Sequence, residues 1–129
     1  MKTHTKTITA ALILGALAAC TQAPVMRALE EPGYFIFRQE EGLIAGNYNP
    51  AGYEEAEIRD LIAIACKGDE IAEYSSGTGT DGLVVFTATC PQGPAYDKGI
   101  YEAERSDRSV RIEGMVPMDG ALARVITEN

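Results

Sequence analysis

The chain has 129 residues and is acidic, with 11 Lys and Arg against 19 Asp and Glu and a formal net charge of −8. This balance argues against nucleic acid as a partner, because phosphates need a basic footprint, and it supplies no polybasic patch for anionic lipid. The charge is typical of a solubilising surface, and the sharper alternative is a basic partner steered by the protein's field.

The N-terminal segment has the pattern of an export signal. Lys2 and Lys6 precede an apolar run from Ile8 to Ala16, and Leu17-Ala18-Ala19-Cys20 closes the segment with two small residues and a cysteine. The apolar run is shorter than the about 20 residues that a membrane-spanning helix needs. This ending resembles the lipobox of bacterial lipoproteins. The alternative is an ordinary secretory signal that is cut elsewhere, with Cys20 incidental.

The resemblance implies cleavage before Cys20 and attachment of the mature chain to a lipid membrane through acylated Cys20, with palmitate among the acyl chains. Thr21 follows in place of the aspartate that retains many lipoproteins in the inner membrane, which implies the outer membrane, facing the periplasm. The predicted organisation is a lipoprotein signal peptide over residues 1–19, a lipidated N-terminus and tether over 20–33, and a single domain over 34–129. Cleavage also removes His4, the only histidine.

Two cysteines remain once Cys20 is assigned to lipid. Cys66 and Cys90 are then the only pair in an exported, oxidising setting, so we predict a disulfide between them. Closing a loop of about 25 residues is worth roughly 3 kcal/mol on the chain-entropy model. The alternative is a redox-active or metal-binding pair, against which stand the missing Cys-x-x-Cys spacing and the missing histidine.

The first predicted elements are two short strands joined by a turn, over 34–37 and 43–45. A helix is predicted over Pro50–Lys67, with Asn49 as N-cap and Gly68 as C-terminal stop. Its apolar stripe recurs at helical spacing and is expected to be buried. The stripe consists of Ile58, Leu61, Ile62 and Ala65, with Cys66 beside it.

The second half of the chain is predicted to form strands. Leu83–Cys90 alternates, which puts Val84, Phe86, Ala88 and Cys90 on one side, and Ile71–Ser76 is predicted to pair with it as a hairpin. Further strands are predicted over Ile100–Arg105, Ser109–Val116 and Ala121–Thr127. Since short turns disfavour parallel crossovers, the predicted fold class is α+β, a single small domain with one main helix packed on a largely antiparallel sheet.

One apparent motif, Gly77-Thr78-Gly79-Thr80-Asp81-Gly82, matches the G-x-G-x-x-G pattern of dinucleotide-binding loops. That chemistry needs a helix after the glycines, whereas a strand-like run follows here. A hairpin loop is therefore predicted.

Catalytic constellations are mostly excluded, because the mature chain lacks histidine and with it the Ser-His-Asp and Cys-His arrangements. A serine–lysine dyad would depend on Lys67 or Lys98. The adjacent carboxylates Glu40-Glu41 and Glu54-Glu55 cannot converge as neighbours on a strand or helix, and the acidic residues lack calcium-loop spacing. No catalytic residue, cofactor or metal site is predicted.

The leading hypothesis is a non-enzymatic binding or structural module of the bacterial cell envelope, with an envelope protein as partner. An exposed apolar or tyrosine-rich patch would be expected, and Tyr48 and Tyr96 are the tyrosines to test first. The alternative is a periplasmic inhibitor or small-ligand-binding protein, with a pocket or a protruding loop at Pro91–Lys98. A small hydrolase ranks third.

Overall fold

A computed structural model of the chain describes residues 23–119 and 121–128. Seven strands in this part of the chain form a single sheet, with two eight-residue helices against it. The helices are α1 (Ala23–Glu30) and α2 (Glu55–Ile62), and two short 3₁₀ turns, Ala63–Ala65 and Lys67–Asp69, follow α2. The strands are β1 (Tyr34–Glu40), β2 (Leu43–Tyr48), β3 (Ala72–Thr78), β4 (Val84–Thr89), β5 (Lys98–Arg105), β6 (Val110–Met118) and β7 (Ala121–Glu128).

The strands lie in the order β3-β4-β2-β1-β5-β6-β7, and every neighbouring pair is antiparallel. Successive side chains of a strand point to opposite sides, so the sheet has two distinct faces. The face that carries Phe35 and Phe37 is buried and is called the core face here. The face that carries Arg38 and Ile100, which are paired across β1 and β5, is called the open face.

Helix α2 packs on the core face. Ile58, Leu61 and Ile62 are almost fully buried there, together with Ala65 and Cys66 of the segment that follows. The predicted apolar stripe is therefore confirmed. Burying a side chain of this size is worth about 1.5–3 kcal/mol, so the stripe holds the helix onto the sheet.

The predicted fold class is wrong in its main element. The described chain is mostly sheet, with seven antiparallel strands and two short helices in place of one main helix on a sheet. An eight-residue helix is about 12 Å long, whereas seven strands at about 4.8 Å spacing are roughly 29 Å across. Helix α2 consequently covers only part of the core face.

The helix is shorter than the predicted Pro50–Lys67 because both of its ends are diverted. At the start, the side chain of Asn49 accepts a hydrogen bond from the backbone N–H of Ala51 at 2.9 Å, which makes a turn instead of a helix cap. Gly52 then lies so close to Pro32 that a Cβ would be 1.9 Å from the Pro32 carbonyl oxygen. At the other end, Cys66 has extended backbone angles, and Gly68 has a φ of 74°.

The segment predicted as a tether also differs. Within residues 20–33, Ala23–Glu30 forms helix α1, which packs on the open face at one end of the sheet. Ala28 is fully buried in a small cluster with Tyr34 and Leu83. Only an eight-residue amphipathic stretch marks this helix in the sequence, too short to form a stable helix without tertiary contacts.

The predicted strands are confirmed, each within a few residues of its expected bounds. The predicted sides of β4 are confirmed as well, since Phe86 and Ala88 are buried while Val85 and Thr87 are exposed. The glycine-rich stretch 77–82 runs from the end of β3 into the turn before β4, as the hairpin prediction requires.

Candidate ligand-binding groove

The sequence predicted a lipidation site and a disulfide, and the structure describes only the disulfide. Cys20 lies outside the described residues. Cys66 and Cys90 form a disulfide, with their Cα atoms 5.2 Å apart, as predicted. The bridge joins the segment after α2 to the end of β4, so it fastens the helical segment to the core face of the sheet.

The loop that follows the bridge, residues 91–97, lies flat against residues 63–69, which contain the two 3₁₀ turns and are called the 3₁₀ segment here. The backbone N–H of Lys67 donates to the Gly93 carbonyl, and that of Ala95 donates to the Ala65 carbonyl, both at 2.9 Å. An isolated bridge pairs Cys66 with Pro94. The protruding loop that the inhibitor alternative needs is therefore not observed in this segment.

The six tyrosines are mainly packing residues. Tyr34, Tyr48, Tyr53 and Tyr101 are at most 4 % exposed, so they form no aromatic surface patch. Of the two tyrosines singled out in the sequence, Tyr48 is buried and Tyr96 is partly exposed. Tyr96 lines a groove.

This groove lies on the core face, beside α2, where the core sides of β6 and β7 remain partly uncovered. Its volume is about 380 Å³. One wall comes from α2, the 3₁₀ segment and the loop after the disulfide, and the other comes from β5, β6 and β7. The lining residues are Asp60, Leu61, Ile64, Asp69, Ala95, Tyr96, Tyr101, Ile112, Val125 and Thr127.

Tyr101 has the most informative environment in the groove. Its ring lies on two glycines, because a Cβ at Gly114 would be 2.7 Å from the ring and one at Gly99 would be 2.9 Å from it. The other side of the ring stacks on Phe37, with centroids 4.8 Å apart and planes 7° apart. The side chain is 2 % exposed, so its position is fixed by packing.

The hydroxyl of Tyr101 is buried and has no hydrogen-bond partner among the described residues. Burial, followed by the nearby Tyr96 phenol, raises the pKa of Tyr101 to about 12. The group is therefore a neutral phenol near neutral pH. A buried hydroxyl without a partner is costly by about 1–3 kcal/mol, and a ligand that supplies the missing hydrogen bond would recover that cost.

The charged residues that line the groove are all acidic. Asp60 and Asp69 are exposed acidic residues among its lining residues, which include no lysine, arginine or histidine. Carboxylates accept hydrogen bonds and attract cations. The groove therefore combines an apolar interior with acceptor groups.

Two other hollows on the described surface contain no buried polar atom without a partner, whereas the hollow beside Asn47 has one, the side-chain Oδ1 of that residue. The hollow around Tyr53 contains Arg105, whose guanidinium is engaged by the Gly52 carbonyl and by Glu57. A shallow hollow on the open face, beside Ile100, has no buried unpaired polar atom.

Across 23–119 and 121–128, no three His, Cys, Asp or Glu side chains cluster as metal ligands would. None of the helices in these ranges is long and apolar enough to cross a membrane.

Comparisons with protein-family models, curated proteins and solved structures return no match.

The function of the chain must therefore be inferred from the groove itself. The sequence does not predict the groove, because its residues come from α2, the 3₁₀ segment, one loop and three strands. Alternation along β5 places Tyr101 on the inner face, but the pairing of Tyr101 with Gly114 depends on a strand register that the sequence does not display.

Proposed function

We propose that this chain is a lipid-anchored, non-enzymatic binding module of the bacterial cell envelope. In this proposal, acylated Cys20 holds it at the outer membrane facing the periplasm, and the groove is its binding site. The ligand group is an ammonium or guanidinium carried on an apolar stem. The lipobox resemblance supports the anchor, and the groove supports the binding role.

The observation that carries the binding proposal is the buried hydroxyl of Tyr101, a residue that lines the groove, which has no hydrogen-bond partner among the described residues. A ligand N–H donates to the phenol oxygen, and the positive charge is compensated by Asp60 and Asp69. The stem packs on Ile64, Val125 and the other partly exposed apolar lining. Each part of the ligand thus has a counterpart in the groove.

The size of the groove limits the ligand. A volume of about 380 Å³ lies at the lower end of the range for ligand pockets, about 300–1,000 Å³. It suits a small amine or one basic side chain. The same chemistry has two sources, a free organic amine or a lysine or arginine of an envelope protein, and the second agrees with the partner expected from the sequence.

The binding proposal is tested by NMR titration of the mature chain carrying Cys20→Ala, with phenethylammonium as probe and phenethyl alcohol as its neutral counterpart. We expect shifts at the groove residues with the cation and much weaker ones with the alcohol. Asp60→Asn and Asp69→Asn should each weaken binding about fivefold, equivalent to roughly 1 kcal/mol. Asp107→Asn, in the exposed turn between β5 and β6, is the matched control.

Equal affinity for the alcohol, or equal losses in all three variants, would contradict the proposal. A second titration compares free lysine amide with a short peptide that contains one lysine between apolar residues. Tighter binding of the peptide identifies a protein side chain as the ligand, whereas no gain over the free amine identifies a small molecule.

The anchor is tested separately by cell fractionation and intact mass measurement. In the wild-type chain we expect cleavage before Cys20 and the added mass of acyl chains. Cys20→Ala should release the domain from the membrane or leave an uncleaved precursor. Unchanged fractionation and mass in this variant would refute lipidation at Cys20.

A further inference from the structure

Only a few residues separate the proposed anchor, Cys20, from the folded domain. Helix α1 begins at Ala23, three residues after Cys20, and three residues of extended chain span at most about 10 Å. If Cys20 is acylated, as proposed above, the helix begins at the headgroup layer of the membrane.

Helix α1 is fixed to the domain by several contacts. Ala28 is fully buried against Tyr34 and Leu83, and its carbonyl accepts a hydrogen bond from the side chain of Asn49 at 3.1 Å. The guanidinium of Arg27 lies 4.2 Å from the centroid of the Tyr34 ring and forms ion pairs with Glu31 and Glu104. The orientation of α1 therefore sets the orientation of the whole domain.

The outward face of α1 is formed by three apolar residues, and the exposed Glu30 lies beside them. Val25, Met26 and Leu29 are 45 %, 48 % and 38 % exposed. Leu29 lies three residues after Met26 and four after Val25, so it neighbours both of them on the helix surface. Val25 also borders a hollow shared with Ile36 and Ile100 of the open face. The apolar surface of the helix thus continues onto the sheet.

We propose that the outward face of α1, formed by Val25, Met26 and Leu29, docks into the interfacial region of the bilayer that holds acylated Cys20. The occupant of this face is the lipid surface, because the chain brings it within about 10 Å of the anchor. An amphipathic helix lying in the membrane plane buries its apolar side at the boundary between headgroups and acyl chains. The acyl chains supply the attachment, and α1 supplies the orientation of the domain.

The natural sequence contains no tryptophan, so a single introduced tryptophan reports its own surroundings. The lipidated mature chain carrying Met26→Trp is reconstituted into phosphatidylcholine vesicles, with or without brominated acyl chains as quenchers. We expect blue-shifted emission that brominated lipid quenches at least twofold. Leu29→Trp serves as a second reporter on the same face. Lys67→Trp, an exposed position beyond α2 on the opposite side of the sheet, is the matched control and should stay unquenched.

Intact mass and vesicle flotation separate the two proposals. A chain without acyl mass refutes the anchor. An acylated, vesicle-bound chain whose reporters at 26 and 29 emit like the one at 67 overturns the docking of α1 and leaves the anchor intact. Blue-shifted emission without quenching by brominated lipid also overturns the docking, because it places α1 against protein, such as a second copy of this chain.

Discussion

At the scale of single residues, the groove depends on how Tyr101 is held. Its ring occupies the space that side chains at Gly99 and Gly114 would fill, and it stacks on Phe37 from the other side. A β-strand glycine covered by a neighbouring aromatic ring loses less stability than a bare one, because the ring shields the exposed backbone. The glycines are therefore part of the site.

This arrangement predicts that one added methyl group at Gly114 lowers the stability of the domain. Gly114→Ala places a Cβ 2.7 Å from the ring of Tyr101, so the ring must shift in a packed core, and we expect a loss of about 1–3 kcal/mol in the free energy of unfolding. Gly77→Ala is the matched control, since nothing lies within 4 Å of its added Cβ on the edge strand β3. Urea unfolding monitored by circular dichroism measures both. Equal stability of the two variants would show that the ring is free to move.

The sequence predicted some of these residue roles and not others. The disulfide followed from counting cysteines, because Cys66 and Cys90 were the only pair left. The burial of Phe86 and Ala88 followed from alternation along one strand. The role of Gly114 did not, because it arises from a neighbour on another strand, and pairing registers between strands depend on the assembled sheet.

At the scale of elements, the disulfide fixes one wall of the groove. Cys66 and Cys90 hold the segment after α2 against the end of β4, and the loop with Ala95 and Tyr96 is bonded to that segment through Ala65. Stability and binding geometry should therefore depend on the same bridge.

Replacing both cysteines, Cys66→Ala with Cys90→Ala, should lower the free energy of unfolding by about 3 kcal/mol, since the bridge constrains the unfolded chain over a sequence separation of 24 residues. The variant should also bind phenethylammonium more weakly. Urea unfolding and the NMR titration measure the two effects. The wild-type chain under reducing conditions is the control and should match the variant. Identical unfolding midpoints of oxidised and reduced wild-type chain would contradict this prediction.

The helices were predicted wrongly from the sequence because their ends and their stability depend on tertiary contacts. Asn49 is equally suited to cap a helix and to form a local turn, and the packing of Gly52 against Pro32 selects the turn. Helix α1 is stabilised by contacts with Tyr34 and Leu83, which lie far apart in the sequence. Strands were predicted better, because local alternation or a short apolar run marks them, whereas helix ends and short helices depend on tertiary contacts.

At the scale of the whole molecule, the sheet separates the two proposed surfaces. Helix α1 packs on the open face, while α2 and the groove lie on the core face. A domain that docks on the membrane through α1 would therefore present the groove toward the periplasm. The acidic net charge of −8 favours a cationic ligand arriving from solution and disfavours contact with anionic lipid.

This arrangement predicts that membrane attachment leaves ligand binding unchanged. The affinity for phenethylammonium should agree within about twofold, a difference of roughly 0.4 kcal/mol, between the lipidated chain on phosphatidylcholine vesicles and the soluble chain carrying Cys20→Ala. Equilibrium dialysis of the labelled probe measures both, and protein-free vesicles give the correction for probe that dissolves in lipid. Val125→Phe, which fills the groove from β7, should lower the affinity in both settings by the same factor. Binding that is lost only on vesicles would place the groove against the bilayer and refute the orientation derived from α1.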